Sequence, residues 1–197
     1  MEGLFKNKYK PNTLRLGDWD YSFEGFYFVT ICAKGRKNYF GQVKNGIRGL
    51  NVLGCIIWKY WHELPKHYPN CILDEFIVMP NHIHGIIEIN NKCRDAIYRV
   101  SKENSKGNGD AINRVSTGGI TRKANPMLSN SLSAMIRWHK GRTSFEIHRL
   151  GYANFSWQPS FYEHIVRIDT ESLEKIRYYI RYNPKMWDRD RNNPVNF

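Results

Sequence analysis

The chain has 197 residues, 41% hydrophobic and 14% aromatic, which is enough to bury one good core but cramped for two. Lys and Arg number 30 against 18 Asp and Glu, and the formal net charge of +12 points to a polyanionic partner such as nucleic acid. No apolar run of about 18 residues occurs, and the start Met1-Glu-Gly-Leu-Phe-Lys6 lacks a secretory core, so a soluble cytoplasmic protein without a membrane partner is expected. Cys32, Cys55, Cys71 and Cys93 form no Cys-x-x-Cys pair and read as reduced, mostly buried thiols rather than a zinc ribbon or disulfide framework.

A single domain over 1–197 is expected, opening with a basic arm over about 1–20 that carries Lys8, Lys10 and Arg15 as phosphate-binding candidates. Tyr27 to Cys32 has the β-branched and aromatic composition of a buried strand, and a second short strand is predicted near Tyr39 to Val43. Asn51 is placed to cap an amphipathic helix running to about His67, with Val52, Leu53, Ile56, Ile57 and Tyr60 at helical spacing. Cys71 to Met79 and His82 to Ile89 read as antiparallel strands joined by a tight Pro80-Asn81 turn.

The strand His82-Ile-His-Gly-Ile-Ile-Glu-Ile89 carries the most chemical information. Side chains alternate across a strand, so His82 and His84 project to one side while Ile83, Gly85, Ile87 and Ile89 face the other. Two imidazoles aimed at one spot suit a divalent metal, although a bare His-x-His needs a third ligand and a reacting group before it is a site.

Over about 90–125 the composition turns to Asn, Lys, Gly, Ser and Arg, and Asp95-Ala-Ile-Tyr-Arg-Val-Ser101 recurs as Asp110-Ala-Ile-Asn-Arg-Val-Ser116. Two copies cannot bury a core, so this is a flexible insertion with a local duplication. Helical spacing returns from Met127 to about Leu150, with Leu128, Leu132, Met135 and Ile136 on one side and the basic Arg137, Lys140 and Arg142 near another. Trp157 to Arg167 reads as an aromatic, irregular segment in which Trp157, Phe161 and Tyr162 offer faces to unpaired bases. A last helix runs Thr170 to Asn183 and is expected to stop at Pro184. Leu173, Ile176 and Ile180 form its apolar stripe, Tyr179 and Asn183 share a neighbouring face, and Tyr178 and Tyr182 pair on another.

Together these motifs resemble the single-tyrosine transposases whose hallmark is His-hydrophobic-His, and most of all the REP-associated tyrosine transposases. The resemblance rests on Gly25-Phe-Tyr-Phe-Val-Thr-Ile-Cys32, Val78-Met-Pro-Asn-His-Ile-His-Gly85, Trp157-Gln-Pro159 with Phe161-Tyr-Glu-His-Ile-Val-Arg167, and Tyr179-Ile-Arg-Tyr-Asn-Pro184. It implies an α+β ferredoxin-like antiparallel sheet with the histidines on a central strand and the tyrosine on a C-terminal helix. It also implies a nucleophile at Tyr179, with Tyr162 as runner-up, and a third metal ligand at Asn183 beside His82 and His84. The implied activity is metal-dependent cleavage and rejoining of single-stranded DNA at hairpin-forming palindromes through a 5′-phosphotyrosine, by a monomer or a homodimer. Mg²⁺ or Mn²⁺ is the expected cofactor, with zinc left open by the nitrogen ligands. Two other classes fit parts of the pattern: a non-catalytic nucleic-acid module of the same fold, and a metal-dependent hydrolase using water, for which Glu88 is the carboxylate on the histidine side.

Overall fold

The computed structural model describes residues 19–91, 130–167 and 172–196. Lys8, Lys10, Arg15, Cys93 and the duplicated heptapeptide lie outside the described residues.

Four strands make the main sheet: β1 (Gly25–Cys32), β4 (Cys71–Val78), β5 (His82–Ile89) and β6 (Tyr162–Val166), in the order β4-β5-β1-β6 with every neighbour antiparallel. With α1 (Val52–His62) between β1 and β4, and α3 (Leu132–Arg149) between β5 and β6, the chain runs βαββαβ, the ferredoxin-like connectivity. A two-stranded hairpin, β2 (Gly41–Lys44) and β3 (Ile47–Leu50), precedes α1, and a short α2 (Leu64–His67) follows it. The histidine strand β5 is central, between β4 and β1, as expected.

Strand alternation decides what each face of the sheet buries. Tyr27, Val29, Ile31, Ile83, Ile87 and Ile89 pack under α1 and α3, against Leu53, Ile57, Trp61, Met135, Ile136 and Ile147. The other face carries Phe28, Ile77, Ile86 and Val166, which meet Ile180 of α4 (Leu173–Tyr182) and Trp187 of the 3-10 turn Asn183–Arg189 that follows it. The helices α1 and α3 start where sequence chemistry provides a cap, the Asn51 side chain accepting from Gly54 N at 3.0 Å and Ser131 Oγ from Ala134 N at 3.3 Å.

Several boundaries differ from the sequence expectation. The helix expected to reach His67 ends at His62, because Pro65 in a continuous helix would set its ring against the Trp61 carbonyl; the chain restarts as α2 with the proline in its first turn. The segment read as irregular contains β6, which adds an edge strand beside β1. Asn183 does not leave the helical region before Pro184: its φ of −53° and ψ of −40° continue into the 3-10 turn, which folds the C-terminal residues back against the sheet. Cys71 is buried, Cys32 is partly so, and Cys55 is exposed on α1, against the expectation of mostly buried thiols. No helix among the described residues is long and apolar enough to cross a membrane.

Asn91 and Asn130, the described residues on either side of 92–129, are joined by one side chain. Asn70 donates from Nδ2 to Asn91 Oδ1 at 3.3 Å and to the Asn130 carbonyl at 2.9 Å, at the end of β5 remote from the histidines.

Gly85 lies on the α1 face of β5, where the ring of Trp61, stacked on Phe76 with centroids 4.4 Å apart, covers it. A β-carbon there would lie 2.4 Å from Trp61 Cζ2, so Gly85→Ala forces the indole off its stack. The substitution should lower stability by about 1–3 kcal/mol, the range for overpacking a core, read as a lower denaturant midpoint at unchanged slope.

His139 of α3 is fully buried beside Trp61 and Trp157, and burial holds its imidazole neutral, with the pKa pushed down to about 3. The unfolded chain takes up this proton below about pH 6.5 and the folded one does not until about pH 3, so the contribution to stability is lost as pH falls through that window. His82 and His84 shift in the same direction. Replacing His139 by Leu should reduce the acid dependence between pH 6 and 4 by up to one proton, or about 1.4 kcal/mol per pH unit, in denaturation curves taken across that range.

Candidate active site

The site lies on the sheet face opposite α1 and α3, under α4. His82 and His84 are almost wholly buried there, on alternate positions of β5, with their Nε2 atoms 3.0 Å apart. Each ring is oriented from behind. Asn81 donates from Nδ2 to the carbonyls of Arg36 at 2.8 Å and Asn192 at 2.7 Å, which leaves its Oδ1 to accept from His82 Nδ1 at 2.8 Å. The proton of neutral His82 therefore sits on Nδ1, and its Nε2 presents a lone pair. Thr30, opposite His84 in the β1–β5 register, places Oγ1 2.8 Å from His84 Nδ1.

A hydroxyl both donates and accepts, so Thr30 serves either His84 tautomer. If Thr30 donates to Nδ1, His84 Nε2–H donates to His82 Nε2 and both rings are satisfied. If Thr30 accepts, the His84 proton moves to Nδ1 and both Nε2 lone pairs face one point, as metal ligation requires. Burial is the main reason both imidazoles stay neutral, His82 down to about 3 and His84 well below its usual range; the charges of Arg191 and Arg36 add to the effect at His82.

An oxygen donor comes from the C-terminal turn. Asp190 Oδ2 is 3.8 Å from His82 Nε2, and His82, His84 and Asp190 offer ligand atoms all within 4.8 Å of one another. These residues form a buried group able to hold a metal ion. Asn183, the expected third ligand, is also buried, and its Oδ1 has no hydrogen-bond partner among the described residues.

Tyr179 reaches the pair from α4, its hydroxyl 3.4 Å from His84 Nε2 and its ring edge-on to Phe28 at 6.1 Å. Burial raises its pKa, the negative charge of Asp190 adds to this, and Arg191 and a hydrogen bond from Asn183 oppose it. Tyr178 and Tyr182 stack on each other at 4.0 Å on another face of α4; contact with His84 and not exposure distinguishes Tyr179, which is itself 47% exposed. Tyr162 lies on β6, 44% exposed, edge-on to Phe28 at 6.4 Å.

Other expected site residues go elsewhere. Trp157 is corrected from base-stacking platform to core residue: it packs against Phe40 and Phe155 and donates from Nε1 to Thr143 Oγ1 at 3.0 Å. Phe161 is likewise buried in that core, on the far side of the sheet from the histidines. Lys140 is held by the Pro159 carbonyl at 3.3 Å and its neighbours, and burial brings its pKa down to about 8, so it ties the loop to α3. Arg142 pairs with Glu146 at 3.1 Å and lies over the rings of Tyr60 and Phe145. Arg137 is exposed on α3, again across the sheet from the site. Glu88 is four strand positions beyond His84, about 13 Å along β5, and accepts from Asn90 Nδ2 at 3.4 Å.

Sequence reasoning missed Thr30, Asn81, Asp190, Arg36 and Arg191. Thr30 and Asn81 stand inside quoted motifs, and strand alternation with an antiparallel partner would have put Thr30 behind a histidine. Nothing in the spacing of Trp187-Asp-Arg-Asp-Arg191 marks Asp190.

The fold and the site define a ferredoxin-like α+β protein with a paired-histidine centre and a tyrosine beside it. No family model matches the chain. An uncharacterized protein of Haemophilus influenzae (strain ATCC 51907 / DSM 11121 / KW20 / Rd) is 35% identical over 183 residues, covering 90% of each chain, and this chain belongs to the same family. Among solved structures, the chain is similar to a REP-associated tyrosine transposase bound to a REP hairpin, at 18% identity over 86% of this chain and 73% of that one, with a TM-score of 0.47. A candidate transposase from Deinococcus radiodurans R1 aligns at 11% identity over 85% of this chain and 96% of that one, with a TM-score of 0.40.

If the histidine pair holds a divalent ion, Mn²⁺ at about 100 times its Kd should stabilise the fold by roughly 2.7 kcal/mol. The rise in Tm should vanish in His82→Ala and in His84→Ala and shrink in Asp190→Asn, which keeps the shape of the side chain but lowers its charge. A full rise in His84→Ala would remove the pair from the metal site.

Proposed function

We propose that this protein cleaves and rejoins single-stranded DNA through a covalent bond to Tyr179, in the manner of the REP-associated tyrosine transposases, with hairpin-forming palindromic DNA as its substrate. The observation that carries this reading is the Tyr179 hydroxyl lying 3.4 Å from His84 Nε2, at the edge of a buried group of neutral nitrogens and one carboxylate.

A phenol with a raised pKa is a weak nucleophile until a positive charge stabilises its oxyanion. A divalent ion such as Mg²⁺ or Mn²⁺, held by His82 and His84 with Asp190 or Asn183 as oxygen donor, would supply that charge and polarise the scissile phosphate. Tyr179 Oη forms the new O–P bond in line as the P–O3′ bond breaks. The phenol gives up a proton and the departing 3′ oxygen takes one up. One phosphodiester replaces another, so the 3′-hydroxyl of a second strand reverses the step without a nucleotide cofactor. His84 and Phe28 hold the ring while the α4 backbone fixes its approach.

A second reading, a hydrolase using water, is favoured by one observation, the carboxylate of Asp190 within the cluster. The two differ in whether DNA becomes attached to protein. Denaturing gels of the protein with a labelled hairpin oligonucleotide bearing single-stranded flanks should show an adduct that peptide mapping places on Tyr179. Tyr179→Phe should abolish it, reducing cleavage by several orders of magnitude while hairpin binding persists, because a phenyl ring packs as well but cannot attack phosphorus. Undiminished cleavage in Tyr179→Phe would establish the water mechanism, and a label on Tyr162 would move the nucleophile to β6.

A further inference from the structure

Beside Tyr179 a cleft of about 290 Å³ opens between α4 and β6, with the Arg191 guanidinium 6.0 Å from the centroid of the Tyr162 ring. Phe28, Tyr162 and His164 form its floor; Lys175, Ile176 and Tyr179 form its wall. Its existence follows from how α4 is placed. Arg177 holds Asp74 with Nε at 3.0 Å and Nη2 at 2.6 Å, and Arg181 holds Glu75 at 2.6 Å, so the helix is drawn over β4 and the β5 side of the sheet. The same face of β1 and β6 is left partly uncovered, and the residues it presents are aromatic: Phe28, then Tyr162 and His164 two apart on β6, with His164 directly opposite Phe28.

We infer that this cleft seats one unpaired nucleobase, that of a nucleotide adjoining the scissile phosphate, stacked on Tyr162; the inference rests on the reading of Tyr179 as nucleophile. An open sheet face bearing aromatic rings accepts bases by stacking, and unpaired bases alone expose both faces to it. Tyr179 forms part of the cleft wall, so the phosphate under attack and the base in the cleft belong to neighbouring positions of one strand. Lys175, one helical turn before Tyr179 and on the same side, places an ammonium at the rim where the backbone of that strand passes. Tyr162 is thus a positioning residue: it fixes where along the flank the strand is cut, and the attack itself belongs to Tyr179.

The test uses the Tyr179→Phe protein with a hairpin oligonucleotide in which each unpaired flanking position in turn carries 2-aminopurine. One position should be quenched on binding well beyond its neighbours. At saturating protein that excess should disappear in the additional variant Tyr162→Ala and return in Tyr162→Trp, with hairpin affinity falling in Tyr162→Ala by no more than the loss of one base–aromatic stack, about 5- to 150-fold. In protein with Tyr179 intact, an abasic residue at the quenched position should slow adduct formation about 5- to 150-fold, the range expected for one base–aromatic stack. Lys175→Gln provides a second variant, expected to weaken the same signal without touching an aromatic group. Uniform quenching along the flank, or quenching unaffected by Tyr162→Ala, overturns the inference even where the Tyr179 adduct forms. A localised signal dependent on Tyr162 but without any adduct keeps the cleft and overturns the nucleophile.

Discussion

The geometry of the site depends on the clamp between α4 and β4. Antiparallel register in β4 is interrupted between Leu73 and Phe76, and the two residues in that irregularity are Asp74 and Glu75. In a regular strand these neighbours would point to opposite faces; the bulge lets both carboxylates meet the same helix. Arg177 engages Asp74 through two nitrogens, and these bonds, with a further one to Glu174, raise the guanidinium pKa further. An exposed pair such as Arg181–Glu75 contributes little by itself, but Arg177–Asp74 is three-quarters shielded and forked, which gives it direction as well as attraction. Ile180 buries beneath the clamp, and the hydroxyl of Tyr179 is thereby brought to His84.

A second constraint is charge. The chain carries a net +12, yet at its centre lie histidines that burial and the nearby Arg36 and Arg191 keep uncharged. Protonated, the pair would repel cations and bury two positive charges. Neutral, it offers lone pairs whose direction is set by Asn81 and Thr30, and Asn81 also draws the C-terminal residues inward through the Asn192 carbonyl. One amide therefore sets a tautomer and docks the turn that carries Asp190.

Local features were legible in the sequence where one physical rule dominates. The period of two on β5 placed both histidines on one face, the Asn51 cap began α1, and the apolar stripe of Leu173, Ile176 and Ile180 put Tyr179 beside His84 while Tyr178 and Tyr182 stack on each other elsewhere on the helix. Long-range pairing hid the rest. β6 is short, and its alternation is weak until β1 lies beside it, so an aromatic segment looked irregular. Trp157 and Phe161 looked like stacking surfaces because composition cannot say which face of a sheet an aromatic ring ends on, whereas Tyr162, one residue further, does face the site. The approach of Asp190 is a consequence of the 3-10 turn after Pro184, a local conformation that the proline rule alone assigns wrongly.

The Asn70 clasp has a consequence for how this chain varies. Because one side chain holds both Asn91 and Asn130, the closure of whatever lies between them is fixed at the sheet and not by its own length. Each doubling of such a loop costs only about 0.6 kcal/mol of closure entropy. The clasp also sits at the end of β5, seven residues from His82 and so about 24 Å away along the strand. The fold thus has a port at which a longer or shorter connection can be accommodated while the histidine end of the sheet keeps its register.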